Sequence, residues 1–147
     1  MAHPYPLVTV GGLLREASGR VLLVRTRKWS DLWGIPGGKV EYGETLEDAF
    51  RRETREETGL ELSGPRFVMV QEAVDHPEFH RPAHFVLLNY VADVAGTRPE
   101  VTLNDEAQEW RWVTQEEAAA LPLNGPTRAL LEQIAASRQR GETVWER

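Results

Sequence analysis

The stretch Gly38-Lys-Val-Glu-Tyr-Gly-Glu-Thr-Leu-Glu-Asp-Ala-Phe-Arg-Arg-Glu-Thr-Arg-Glu-Glu-Thr-Gly-Leu60 decides how this chain is read. Its second part, Thr45–Thr58, predicts a helix with Thr45 at the N-cap. Projected at about 100° per residue, Leu46, Ala49 and Phe50 define an apolar face, while Glu47, Asp48, Arg51 and Arg55 fall on the sides and the opposite face. Glu53 and Glu57 return to the line of Leu46 and Phe50, and Glu56 sits beside Ala49. Three carboxylates therefore crowd the inward edge of the last turns. Desolvating an unpaired carboxylate is costly. Like charges one turn apart repel, and negative charge is disfavoured near a helix C-terminus. Arg52 balances part of this charge. The oxygen-only ligand set suits a hard divalent cation, Mg²⁺ or Mn²⁺. The alternative is a solvated surface helix laced with intrahelical ion pairs.

Upstream lies Trp33-Gly-Ile-Pro-Gly-Gly38. Pro36 followed by Gly37 and Gly38 predicts a tight turn, in which glycine permits positive φ and close approach of the main chain to a ligand. An ordinary turn leading into a Thr45-capped helix is compatible with the same residues.

The whole segment resembles the signature of the Nudix hydrolase superfamily. Gly38 is followed after five residues by Glu44 and, after seven more, by Arg52-Glu53; Glu56-Glu57, Gly59 and Leu60 complete the pattern. The departure is Thr54, at a position usually aliphatic. The flanking LWGIPGG and the later EWRWV are also similar to the family. The resemblance implies an α/β fold of the Nudix type, an α/β/α sandwich with a mixed sheet between helices. It implies an enzyme that cleaves a diphosphate linkage in a nucleoside diphosphate-linked substrate, by attack of a metal-activated water on phosphorus. It makes Glu53, Glu56 and Glu57 the carboxylate ligands of Mg²⁺ or Mn²⁺, and the Gly38 carbonyl a backbone ligand. Arg52 and Glu44 become the residues that orient the glutamates. Glu56 is one candidate general base. Glu106, in the loop before EWRWV, is a second candidate base or a further ligand; an exposed loop acid is the alternative. The expected substrate is a nucleoside triphosphate, oxidised forms included. ADP-ribose or a nucleotide sugar is the runner-up, and a non-catalytic nucleotide sensor a third reading. An isomerase built on a catalytic cysteine is excluded, because the chain has none. Relatives are often dimers, which makes a homodimer the expectation by analogy.

The rest of the sequence sets the frame. With 147 residues the simplest expectation is one domain spanning 1–147. Without cysteine, disulfides and thiolate metal sites are out, which suits a reducing, cytoplasmic setting. The opening MAHPYPLVTV lacks the basic and apolar regions of a secretory signal, and no apolar run approaches the roughly 20 residues that span a bilayer. A net charge of −6 argues against a nucleic-acid polymer as partner. It leaves room for a small anionic nucleotide screened by metal.

Strands are predicted near Leu7–Leu14, Val21–Val24, Phe67–Val70, His84–Val94 and Trp110–Val113. His84–Val94 is apolar on both alternating faces, as a strand covered on both sides should be. Thr114-Gln-Glu-Glu117 predicts a capping box and a short helix to about Leu121. Pro126 predicts the first position of a last helix whose stripe is Leu130, Leu131, Ile134 and Ala135. His76, His80 and His84 have helical zinc-site spacing, but Pro77 and Pro82 make the segment a loop at the substrate mouth. Arg25, Arg27, Lys28 and Lys39 are candidates to hold substrate phosphates, and His80 or Arg81 to touch a phosphate or base; ordinary surface charge or a solvated loop is the alternative for each. Trp33, Trp110 and Trp112 are predicted wall or core residues, and Arg25–Trp33 and Asp75–His84 the loops that set selectivity.

Overall fold

Strand β1 (Leu7–Arg15) turns at Gly19 (φ +94°) into β2 (Val21–Thr26), but the two pair only at Arg15 and Val21. Beyond that they splay. β7 (Glu109–Val113) runs antiparallel along one edge of β2, opposite Val21–Arg25. The other edge is shared by β1 at its start and by β3 (Leu32–Gly34) at its end. β4 (Gly37–Lys39) pairs with Thr9–Gly11 of β1, so the short β3–β4 segment fills the wedge between β1 and β2. On its far side β1 runs parallel to β6 (His84–Val94), which pairs antiparallel with the edge strand β5 (Leu62–Val74). This computed structural model describes residues 4–146; residues 1–3 and 147, the ends of the expected 1–147 span, lie outside the described residues.

Three helices cover the mixed sheet: α1 (Leu46–Thr58), α2 (Gln115–Ala120) and α3 (Gly125–Gln139). Period-two alternation splits the core into two layers. Val10, Leu14, Leu22, Tyr90 and Ala92 pack with Ala49 and Phe50 of α1. Their strand neighbours Leu13, Val21, Leu23 and Val91 pack with Ala118 of α2 and Leu130 and Ile134 of α3. The result is the expected sandwich of helix, mixed sheet and helix. β6 is an interior strand buried on both faces over Asn89–Ala92, as its sequence predicted.

Several local expectations change. The strand expected at Phe67–Val70 runs from Leu62 to Val74, because pairing with β6 recruits polar residues with little intrinsic strand signal. Gly37 and Gly38 form β4 rather than a tight turn, and neither has positive φ. Glycine is needed there for proximity: a Cβ on Gly37 would meet the Val10 carbonyl and lie 2.7 Å from the Cα of Gly11. In α3, Asn124 caps the helix through its side-chain oxygen and Pro126 takes the second helical position, not the first. Its buried stripe is Thr127, Leu130, Ile134 and Ser137, whereas Ala135 faces solvent. The capping box at Thr114 and Glu117 is formed as expected.

Candidate active site

Helix α1 begins where the Thr45 hydroxyl accepts from the Asp48 N–H and ends at Gly59, which adopts φ +74°. Its apolar residues Ala49 and Phe50 are fully buried, and this anchoring fixes the helical phase. One and two turns on, that phase aims Glu53 and Glu57 at β4, where each is only 9% exposed. Glu56 is different. Its side chain is about half exposed, so the inward pressure predicted for three carboxylates falls on two.

The wedge strand β4 receives these carboxylates. The Gly37 N–H donates to Glu57 at 2.6 Å. A Cβ on Gly38 would collide with the Glu53 carboxylate and displace it, so glycine leaves that side chain free to sit against the strand. Glu106 approaches from the loop before β7, and one oxygen from each of Glu53, Glu57 and Glu106 lies within 4.8 Å of the others.

Arg52 organises the outer side of the cluster. Its Nε and Nη2 donate to both oxygens of Glu44 at 2.6 and 2.9 Å, a bidentate pair. Nη2 also donates to the Lys39 carbonyl at 3.0 Å, tying α1 to the end of β4. Nη1 donates to Glu53 at 2.9 Å and Glu56 at 3.2 Å. The Arg52 guanidinium, helped by the Glu41 N–H, holds the Glu44 carboxyl down at about 2. Arg52 is in turn held more firmly protonated, chiefly by Glu44.

The inner carboxylates behave oppositely. Burial pushes Glu57 well above the usual carboxylate range; the facing Glu106 adds to this and the Gly37 N–H works against it. Burial also raises Glu53, against the opposing pull of Arg52, with Glu106 and Glu56 reinforcing the rise. One guanidinium therefore does not neutralise the group. Buried like charges of this kind require protons or a further cation. Every donor present is an oxygen, and the cage is open toward a cleft, which fits a hard divalent ion.

That cleft has a volume of about 620 Å³. Of the residues singled out from sequence, it gathers Gly38, Lys39, Arg52, Glu53, Glu56, Glu57, Arg81 and Glu106. Glu44 stands behind Arg52 and does not line it. Arg27 does not line it either; it is exposed on a 3-10 turn (Arg27–Trp29), and its neighbour Lys28 lines the cleft instead, 3.6 Å from Glu106.

Away from the carboxylates the wall becomes apolar and aromatic. Trp29 meets Phe79 edge-on at 4.9 Å, and Phe79 meets Phe85 at 4.9 Å. Arg81 lies 5.7 Å over the Phe79 ring. The loops expected to set selectivity are joined here: the His80 N–H donates to the Lys28 carbonyl, and the Ser30 hydroxyl to the Glu78 carbonyl. Glu78 in turn accepts from the Gly125 N–H at the start of α3, at 2.6 Å. His76 and His80 lie in a loop, as the prolines predicted, while His84 opens β6. Trp33 is buried in the α2–α3 layer, and Trp110 and Trp112 pack against the α1 layer. Sequence reasoning missed Trp29, Asn89 and Asn124 as cleft residues. Trp29 was findable as the aromatic inside the flagged Arg25–Trp33 loop; nothing in the sequence marked the two asparagines.

The sequence matches the NUDIX domain family over residues 6–134. It is 32% identical over 105 residues to the nucleoside triphosphatase NudI of Enterobacter sp. (strain 638), covering 69% of this chain and 74% of that protein. The fold is similar to the solution structure of the E. coli ORF135 protein, with TM-score 0.74, 29% identity and 91% of both chains covered. It is also similar to the crystal structure of a MutT NUDIX hydrolase from Burkholderia pseudomallei, with TM-score 0.72 and 28% identity over 88% of this chain and 98% of that one. With the signature residues assembled around one cleft, this chain belongs to the Nudix hydrolase family.

Proposed function

We propose that this Nudix hydrolase is a metal-dependent pyrophosphohydrolase acting on nucleoside triphosphates, oxidised forms included. The observation that carries the reading is the packing of Glu53, Glu57 and Glu106 within 4.8 Å at the mouth of a cleft whose far wall is aromatic. In this reading Glu53, Glu57 and Glu106, together with the Gly38 carbonyl, hold Mg²⁺ or Mn²⁺, and Glu56 joins them from the rim. When bound, the metal neutralises pyrophosphate oxygens and lowers the pKa of ligated water.

The chain supplies the rest. Glu44 clamps Arg52, and Arg52 orients Glu53 and Glu56, so the carboxylates are placed before substrate arrives. Glu56, the most exposed of the signature glutamates, accepts the proton of the attacking water at its carboxylate. Lys39 and Arg81 face the phosphate chain, and the Trp29–Phe79 wall takes the base. The similarity to a nucleoside triphosphatase favours this substrate class over ADP-ribose.

The test is product release from a panel of nucleoside triphosphates, oxidised nucleotides and ADP-ribose with Mg²⁺ or Mn²⁺. Wild type is compared with Glu57→Gln, for which we expect a fall of about a hundredfold, because a ligand is weakened. Equal turnover by the variant would sink the site assignment. Turnover of ADP-ribose alone would move the substrate to the nucleotide-sugar class. Tight nucleotide binding without turnover of anything would make the chain a sensor.

A further inference from the structure

Asn89 is 5% exposed and lines the cleft from β6, on the same face of the strand as Phe85 and Leu87. Its Oδ1 accepts a hydrogen bond from Gln71 Nε2 at 2.9 Å, across the β5–β6 pair. The same Gln71 nitrogen donates to the Pro126 carbonyl at the start of α3, at 2.8 Å. A backbone carbonyl only accepts, so the nitrogen end of the Gln71 amide must point toward it. That nitrogen also faces Asn89, so the Asn89 atom it meets must be the oxygen. The chain of donors and acceptors fixes both amides without reference to hydrogen positions. It leaves the Asn89 amino group with no partner among the described residues, and that group is not among the fully buried unpaired atoms. Asn89 therefore presents a fixed donor to the cleft.

We propose that Asn89 is a specificity-determining residue that donates to a carbonyl on the substrate base, and that Gln71 is the positioning residue that prevents its amide from flipping. Exocyclic carbonyls are the acceptors that project farthest from a base, so the site selects 6-oxopurine or 4-oxopyrimidine nucleotides over their 6-amino and 4-amino counterparts. A buried donor left facing an amino group is unpaired, and this is where discrimination arises. The inference rests on the nucleotide reading given above.

The experiment uses matched pairs that differ at the exocyclic group and the protonation of the ring nitrogen beside it, ITP against ATP and UTP against CTP, with ribose 5-triphosphate as a substrate that lacks a base. We expect the wild type to favour the oxo member of at least one pair by tenfold or more in kcat/KM. Asn89→Asp, which keeps an acceptor for Gln71 but turns an acceptor toward the cleft, should reverse that preference. Gln71→Leu should reduce it to within about threefold, mainly through KM. Gln71→Leu should hydrolyse ribose 5-triphosphate within about threefold of wild type, and Asn89→Asp should keep a cooperative thermal transition, which separates loss of base reading from loss of fold. Unchanged preference in Asn89→Asp, with nucleotides turned over normally, overturns this inference alone, as does a wild type with no preference within either pair. No turnover of any nucleotide by the wild type removes the underlying reading and this inference with it.

Discussion

At the scale of single residues, the site depends on atoms that would not tolerate a neighbour. Gly38 gives its missing Cβ to the Glu53 carboxylate, and Gly37 gives its own to the Val10 carbonyl. Thr54 marks the opposite situation. It is fully buried on α1, and its hydroxyl has no hydrogen-bond partner. This is the position where the family signature usually carries an aliphatic residue, and the structure shows the cost of the departure. Thr54→Val keeps the shape and removes the orphaned hydroxyl. It should raise stability by about 1 kcal/mol, read by chemical denaturation, with activity unchanged. A loss of stability would mean that the hydroxyl has a partner in solution, such as a buried water.

At the scale of elements, the cleft is made by segments that each stop short of closing it. α1 supplies carboxylates, the β3–β4 wedge supplies close backbone, and the loop between β5 and β6 supplies Phe79, which joins Trp29 of the 3-10 turn and Phe85 of β6 in the aromatic wall. That loop is tied to α3 by one carboxylate, Glu78, which accepts from the Gly125 N–H. A helix N-terminus favours such an anion. Glu78→Ala should loosen the wall without touching the carboxylate cluster. Expected in steady-state kinetics is a KM several times higher with kcat within about twofold. A kcat that fell as much as kcat/KM would show instead that the loop positions the reacting phosphates.

At the scale of the whole molecule, the buried carboxylates are a source of instability that a bound cation would relieve. Glu57 is raised by burial, so the folded chain binds its proton more tightly than the unfolded chain does. The stability tied to that proton is present below the ordinary carboxylate range and is lost as pH rises through the folded-state value. Metal-free protein should therefore lose thermal stability as pH rises above the ordinary carboxylate range, and the gain in Tm on adding Mg²⁺ should grow in the same direction. Glu57→Gln should flatten the metal-free profile. Differential scanning calorimetry with and without chelator reads both, and a metal-induced gain that shrinks with pH would contradict the arrangement. At low pH the opposite sign appears at Asp93. Despite the opposing effect of burial, the Arg66 and Arg15 guanidinium groups hold its carboxyl below the usual range, so its contribution is lost as pH falls.

The sequence by itself determined the helix, its N-cap and the inward placement of Glu53 and Glu57, because a period of 3.6 residues and a capping threonine are local facts. The family resemblance carried by the same segment implied the sandwich, and the apolar run His84–Val94 agreed with it as a strand covered on both faces. Tertiary structure alone decided the rest. The β3–β4 wedge exists because β1 and β2 splay, and no local pattern in three-residue strands announces that. Glu56 stays half exposed at the rim of the cleft although helical projection set it beside Ala49, since the exposed edge of α1 is fixed by what packs against it. Arg27 points away from the cleft and Lys28 into it, a choice made by the 3-10 turn. Asn89 and Gln71 meet across β5 and β6, 18 positions apart in sequence. Their register comes from the ladder, and a hydrogen-bond direction fixed by a third backbone carbonyl is visible only once all three are in place.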